Sequence, residues 1–159
     1  MTKKQFSTHK DIILAKLKKY CAYRDRCHSE VRNKILKLEV YGDTLEEIIS
    51  DLIIEGYLNE ERYACSFARG KFRINHWGRT KIRQGLKAKQ IPDSLIKIAL
   101  EEIEEKEYLD VLTKLIIKKS NSLSEENNLI RNKKLITYAM GRGFEYDIIK
   151  EVINGMEFE

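Results

Sequence analysis

The stretch Gly56-Tyr57-Leu58-Asn59-Glu60-Glu61-Arg62-Tyr63-Ala64 is predicted to end one helix and begin another just before the most basic part of the chain. Gly56 follows a helical run of apolar residues and can adopt the left-handed conformation that closes a helix. Asn59 is a favourable N-cap, and Leu58 can pack on Tyr63 as a hydrophobic staple. The stretch therefore predicts a corner between two helices.

The composition favours a helical protein. The 159 residues include one proline and eight glycines, and 35% of them are charged and 42% hydrophobic. This balance supports a folded chain rather than a disordered one, and the scarcity of helix breakers favours α-helix. No segment approaches the roughly 20 apolar residues of a membrane span, and the N-terminus lacks the apolar core of a secretory signal. We therefore expect a cytoplasmic protein.

The sequence offers no motif for catalysis or metal binding. Cys21, Cys27 and Cys65 form no CxxC pair, and Cys27-His28 has no second ligand pair at zinc spacing. A Walker phosphate loop, an HExxH motif and a nucleophile elbow are all lacking, and Gly141-Arg142-Gly143 is too short for a nucleotide fingerprint. We expect no catalytic residue, no metal, no cofactor and no enzyme activity.

Helical periodicity continues along the chain in short amphipathic segments. The predicted N-caps are Ser7 or Thr8 for the first helix, Ser29 for the second, and Thr44 in a capping box with Glu47 for the third. The polar run from 118 to 128 is predicted to be a loop. The first helix is predicted at about Lys10 to Tyr23, and further helices are predicted at about Glu60 to Phe72, Arg79 to Lys89, Leu129 to Met140 and Tyr146 to Asn154.

A basic window runs from Tyr63 to Pro92, which contains no acidic residue. Its eight cations give it a formal charge of +8, against +5 for the whole chain. Such a window suits nucleic-acid phosphates or an acidic protein surface. Trp77 within it either anchors a turn or stacks on a base. The candidate binding residues are Arg69, Lys71, Arg73, Arg79, Lys81, Arg83, Lys87 and Lys89, with Trp77 as the stacking candidate.

An acidic segment follows the basic window. Between Glu101 and Asp110 six carboxylates stand against one lysine, and we expect most of them to lie on a solvated helix face.

The apolar positions also repeat weakly along the chain. Units of this size cannot bury their apolar stripes alone, so stacking them in tandem is the natural solution. We expect a single all-α chain of three-helix repeats, at about 8–73, 76–119 and 125–155, in an elongated stack that can be curved.

Three signatures follow one another along the chain: Arg24-Asp25-Arg26-Cys27-His28-Ser29-Glu30, the corner stretch 56–64, and Gly78-Arg79-Thr80-Lys81-Ile82-Arg83-Gln84-Gly85-Leu86. In order and spacing they resemble the signatures of the RecX family. Gly143-Phe144, followed by Asp147-Ile148-Ile149, extends the resemblance, which covers about 17–153. The chain departs from the family pattern at Asn59, usually Asp, at Tyr63, often Phe, and at His76-Trp77-Gly78, which replaces a more glycine-rich turn.

The resemblance implies an all-helical protein of tandem three-helix repeats that binds the RecA recombinase filament on single-stranded DNA. It implies a negative regulator that docks along the filament groove, blocks growth or favours disassembly, and lowers RecA-dependent ATP hydrolysis and strand exchange. Such a protein catalyses nothing itself, and we expect a monomer. Direct contact with DNA stays open. A stand-alone basic helical nucleic-acid-binding protein is the alternative.

Overall fold

The computed structural model describes residues 8–157 and forms nine α-helices over that range, with no strand. The predicted all-α class is therefore confirmed. The helices are α1 (His9–Tyr23), α2 (His28–Lys37), α3 (Gly42–Ile54), α4 (Glu60–Arg73), α5 (Arg79–Ala88), α6 (Asp93–Glu101), α7 (Glu105–Ser122), α8 (Asn128–Gly141) and α9 (Tyr146–Glu157).

The helices pack in consecutive groups of three: unit 1 is α1–α3, unit 2 is α4–α6 and unit 3 is α7–α9. The buried apolar residues of unit 1, apart from Cys27, form one hydrophobic cluster, and those of units 2 and 3 form a second, continuous one that also includes Cys27. The tandem helical arrangement is thus confirmed. Helix α4 packs chiefly on α6, although the predicted repeat 8–73 groups it with α1–α3. The boundaries 8–73, 76–119 and 125–155 stay a prediction.

The predicted corner between α3 and α4 forms at the expected residues. Gly56 has a φ of +81°, and the Asn59 side chain accepts a hydrogen bond of 2.9 Å from the backbone N–H of Arg62. The staple between Leu58 and Tyr63 is wrong, because the two side chains belong to different clusters. The Leu58 N–H donates to a carbonyl of α3, which turns this residue back onto unit 1.

The cap predicted for the first helix is confirmed at Thr8, and the one predicted for the second helix is wrong. Thr8 does cap α1 in a capping box with Asp11, whereas Ser7 lies outside the described residues. Helix α2 begins at His28, so Ser29 is inside it, and its hydroxyl instead donates to the Lys89 carbonyl of unit 2 at 3.1 Å. The Ser29 hydroxyl therefore makes a contact between units 1 and 2 and does not cap its own helix.

The third helix also begins earlier than its predicted cap. Thr44 lies inside α3, which starts at Gly42, a residue in the left-handed region at a φ of +62°. The helix has no side-chain cap, so the capping box with Glu47 does not form. The left-handed backbone of Gly42 begins the helix, in place of the cap expected from the Thr44 hydroxyl.

The predicted loop at 118–128 is mostly helix. Helix α7 continues to Ser122 and α8 begins at Asn128, which leaves only 123–127 between them. The guanidinium of Arg131 draws these helix ends together by donating to the backbone carbonyls of Ser120, Leu123 and Glu125. These hydrogen bonds join residues of different elements, and the polar composition of the segment does not reveal them. The prediction from polarity therefore made the loop too long.

Candidate binding surface

Helix α4 and the turn after it place aromatic and basic side chains along one line. Tyr63, Phe67 and Lys71 follow one another at four-residue spacing, which puts them on the same face of a helix. Trp77 packs edge-on against Phe67, with 6.3 Å between ring centroids and 72° between ring planes. The ammonium groups of Lys71 and Lys81 lie 4.8 Å and 4.7 Å from the Trp77 centroid. Trp77 is therefore flanked by two cations.

Helix α5 approaches this aromatic line closely at Gly85. A Cβ added there would lie 2.8 Å from Cζ of Phe67, nearer than ordinary contact. Lys81 and Lys89 stand four residues before and after Gly85, so they flank the contact on the same face. The absence of a side chain at Gly85 thus lets the basic helix lie directly on the aromatic pair.

Trp77 is half-buried and anchors the turn between α4 and α5. Its backbone N–H donates to the Lys71 carbonyl at 3.0 Å, while its ring packs on Phe67. A base that stacked on this ring would have to share it with the ammonium groups of Lys71 and Lys81. Base stacking on Trp77 stays a prediction.

Three arginines of the basic window meet the acidic segment that follows it. Their pairs are Arg69–Glu102 at 3.2 Å, Arg73–Glu107 at 3.5 Å and Arg79–Glu105. The three carboxylates are still partly exposed, as expected for a solvated face. Half of the six acidic groups of the segment nevertheless pair with three of the eight cations of the window. The open charge of the window is smaller than its formal +8.

Arg79 joins units 2 and 3. Its side chain is only 19% exposed, pairs with Glu145 at 3.0 Å and lies 3.9 Å from the ring centroid of Tyr108. The Tyr108 hydroxyl accepts the Arg79 backbone N–H at 3.0 Å and donates to Glu145. Burial, and then the bond to Glu145, raise the pKa of the Tyr108 phenol. The structure therefore places Arg79 in a joint, where a cation has a structural role.

Backbone contacts close the same joint. The Gly78 N–H donates to the Arg142 carbonyl at 2.8 Å, and the Thr80 N–H donates to the Gly143 carbonyl at 2.9 Å. A Cβ at Gly78 would lie 2.3 Å from the carbonyl carbon of Gly143, so only glycine fits. Gly143 itself has a φ of +95°, which also favours glycine. The joint fixes the N-terminus of the basic helix α5 against unit 3.

Side chains of the first two signatures hold units 1 and 2 together. Asp25 accepts from Arg62 at 2.8 Å and from Ser66 at 3.0 Å. The backbone N–H of His28 also donates to the Glu60 carboxylate at 3.2 Å. Arg26, by contrast, is 9% exposed and stays within unit 1, where its guanidinium lies 3.7 Å from the ring centroid of Tyr20. Sequence reasoning missed the Asp25–Arg62 pair, although opposite charges at fixed places in two ordered signatures were a signal for it.

The remaining cations are Lys71, Lys81, Arg83, Lys87 and Lys89, and we call them together the open basic face. Lys71, Lys81 and Lys89 lie beside Phe67 and Trp77, whereas Arg83 and Lys87 lie on the other side of α5. Within residues 8–157, no carboxylate lies within 4.0 Å of Lys71, Lys81 or Arg83, and Lys87 and Lys89 reach one only at 4.0 Å, on Asp93 and Glu30 respectively. Arg83 and Lys87 also line a cleft of about 540 Å³ between α5 and α6. The face can therefore offer several uncompensated charges to an anionic surface.

The part of the chain that the structure describes shows no group of three or more His, Cys, Asp or Glu side chains arranged to hold a metal ion. All three cysteines are buried free thiols. Over the same residues, no helix has both the length and the apolar character needed to cross a membrane.

Two family models match successive parts of the chain. The model described as "RecX, second three-helix domain" matches residues 59–100, and "RecX, third three-helix domain" matches residues 105–153. These ranges correspond to units 2 and 3. Together they hold all the residues of the open basic face.

Relatives with curated descriptions carry the same family name. "Regulatory protein RecX" of Bacillus mycoides (strain KBAB4) is 29% identical over 140 residues, which cover 88% of this chain and 52% of the relative. "Regulatory protein RecX" of Lactococcus lactis subsp. cremoris (strain SK11) is 30% identical over 158 residues, which cover 98% of this chain and 57% of the relative. The chain thus spans about half the length of the curated relatives it matches.

Two solved structures share the fold. The chain described as "Crystal structure of RecX from Lactobacillus salivarius" has a TM-score of 0.88 and 26% identity, over 94% of this chain and 97% of that one. "Crystal structure of regulatory protein RecX" has a TM-score of 0.81 and 20% identity, over 97% and 81%, and at that identity it supports the fold alone.

Proposed function

This chain belongs to the RecX family, and from that premise we propose that it is a negative regulator of the RecA recombinase. It binds the RecA filament on single-stranded DNA and inhibits filament growth. RecA-dependent ATP hydrolysis and strand exchange fall as a result. The protein acts as a cytoplasmic monomer, uses no cofactor and catalyses nothing itself.

The open basic face is the observation that carries this proposal. Its five cations, on α4, on α5 and just after α5, keep their charge largely uncompensated. In contrast, Arg69 is paired with Glu102 at the end of α6, and Arg73 and Arg79 are paired with Glu107 and Glu145 of unit 3. A RecA–DNA filament offers acidic protein surface and DNA phosphates, and both are complementary to such a face. The working residues are therefore Lys71, Lys81, Arg83, Lys87 and Lys89.

The row of units supports binding along a filament. Unit 1 contacts unit 2 through Asp25–Arg62, and unit 2 contacts unit 3 through Gly78 and Arg79. A tandem arrangement offers an extended surface that can touch more than one subunit of a repeating partner. The contacts between the units fix the orientation of the open basic face relative to units 1 and 3.

A stand-alone nucleic-acid-binding protein is the second candidate. The observation in its favour is Trp77, a half-buried aromatic ring between the ammonium groups of Lys71 and Lys81. Such a pairing suits phosphates on the cations and a base beside the ring. A protein of this class binds bare single-stranded DNA tightly with a steep salt dependence, whereas a filament regulator prefers DNA already coated by RecA.

The test titrates the protein into a RecA ATPase assay on single-stranded DNA, beside its binding to the same DNA without RecA. The face variant is Lys71→Glu/Lys81→Glu/Arg83→Glu. Its half-inhibitory concentration should rise by about tenfold or more, because like charges then meet across the interface. The matched control reverses three exposed lysines of unit 1, at positions 16, 19 and 37, for the same change in charge. Equal inhibition by the parent and a folded face variant would exclude this face.

A further inference from the structure

A second basic surface lies on unit 3, away from the open basic face. It is a groove of about 460 Å³ between the C-terminal half of α7 and helix α8. Leu123, Ile130 and Tyr138 supply apolar walls, and the rim carries Lys119, Lys133 and Lys134. We call it the α7–α8 groove. None of these residues belongs to the basic window.

Hydrogen bonds within the chain hold the groove in shape. The guanidinium of Arg131 donates to the Glu125 carbonyl at 3.0 Å and to the Ser120 hydroxyl at 2.6 Å. These bonds tie the connection between α7 and α8 to the end of α7. Leu123, on that connection, packs against the main hydrophobic cluster. A partner that enters therefore meets a preformed wall and loses little free energy in ordering it.

The groove keeps apolar surface exposed. Ile130 is 44% exposed although it lies beside partly buried Leu123. Covering such a side chain with another apolar group is favourable, in proportion to the area removed from water. The groove therefore suits a partner that brings at least one aliphatic or aromatic side chain.

The positive charges on the rim of the groove indicate which charged groups the partner carries. Lys133 has no carboxylate within 4.0 Å among the described residues, and Lys134 reaches Glu125 only at 4.0 Å. The Lys119 ammonium lies 5.2 Å from the ring centroid of Tyr138. A positive rim around an apolar floor is complementary to carboxylates that flank an apolar side chain.

The same contacts favour a peptide over a nucleic acid. Single-stranded nucleic acid gains much of its binding free energy from bases stacked on aromatic rings. Here the only ring in the groove, Tyr138, has the Lys119 ammonium over it, and Leu123 and Ile130 are aliphatic. A DNA strand would be attracted to the lysines of the rim through its phosphates, but its bases would gain little from stacking.

We propose that the α7–α8 groove binds an acidic amphipathic peptide segment of a partner protein. Its apolar side chains cover Ile130 and Leu123, and its carboxylates face Lys119, Lys133 and Lys134. An amphipathic helix laid in an apolar groove is an established mode of peptide recognition. This site stands apart from the open basic face and does not depend on the function proposed for it.

The test uses a fluorescein-labelled helical peptide with leucines along one face and glutamates along the other. Fluorescence anisotropy at physiological salt measures its affinity for the parent and for the groove variant Ile130→Asp/Lys133→Glu. The matched control is Ile54→Asp/Lys37→Glu, which makes the same two changes at exposed positions of unit 1. Circular dichroism confirms that both variants keep the helical content of the parent.

The groove variant should bind the peptide about tenfold or more weakly, and the control within about twofold of the parent. Three results would overturn the proposal. The parent fails to bind the peptide, both variants lose affinity equally, or an oligothymidylate binds the parent more tightly than the peptide and loses that affinity in the groove variant. Inhibition of RecA by the parent is read separately, so loss of the groove and loss of the proposed function remain distinguishable.

Discussion

Replacing Gly78 by alanine should loosen the joint between units 2 and 3. The added Cβ would lie 2.3 Å from the carbonyl carbon and oxygen of Gly143 and 2.4 Å from the Phe144 nitrogen. All three atoms are backbone, so none can rotate away as the end of a side chain can. The N-terminus of α5 must therefore move away from unit 3.

The magnitude follows from the contacts that this movement breaks. Two backbone hydrogen bonds cross the joint, from Gly78 to Arg142 and from Thr80 to Gly143, and each contributes about 1 kcal/mol net. Overpacking a fitted site adds about 1–3 kcal/mol. We expect the free energy of unfolding to fall by about 3 kcal/mol, because the bonds weaken rather than vanish in full.

Urea denaturation followed by circular dichroism measures this loss, with Gly70→Ala as the control. Gly70 lies inside α4, and a Cβ there would meet no atom within 4 Å. That variant should gain about 0.5–1 kcal/mol, because alanine is the better helix former. A Gly78→Ala protein within about 0.5 kcal/mol of the parent would refute the joint as described.

Three further predictions concern single side chains. Tyr63→Ala should lower the free energy of unfolding by about 3 kcal/mol, since the ring is 6% exposed; an unchanged denaturation midpoint would contradict its burial. Arg79→Ala should cost about 1–3 kcal/mol and Arg83→Ala less than about 0.5 kcal/mol, because only Arg79 is held by Glu145; equal losses in urea would disprove that difference. The raised pKa of Tyr108 means that the unfolded chain loses this proton first, so stability falls as pH rises above about 10. Tyr108→Phe should flatten part of that fall in alkaline melts, and an unaltered slope would count against the burial of the phenol.

Local chemistry predicted the corner well. Gly56 and Asn59 act through their own backbone conformation and a hydrogen bond three residues away, so the sequence contains everything that the feature needs. The staple failed because it depends on where the chain goes next. Leu58 turns back onto α3 while Tyr63 enters the cluster of unit 2.

The basic window shows the limit of reading charge along the chain. Eight cations without a carboxylate nearby in the sequence predicted a basic window in which all eight are candidate binding residues. Arg69, Arg73 and Arg79 meet carboxylates that lie 26 to 34 residues later, and the pairing depends on how α4 and α5 lie against the acidic segment. Spacing within one helix could separate the faces of α5, but it could not tell which face another element would cover.

We propose that the open basic face acts on the RecA filament. The most direct measurement compares RecA ATPase on single-stranded DNA in the presence of the parent, the Lys71→Glu/Lys81→Glu/Arg83→Glu variant and the charge-matched unit 1 control. We expect the parent and the control to inhibit equally, and the face variant to have a half-inhibitory concentration about tenfold or more higher. A parent that binds bare DNA tightly and leaves RecA ATPase unchanged, or a folded face variant that inhibits as well as the parent, would contradict it.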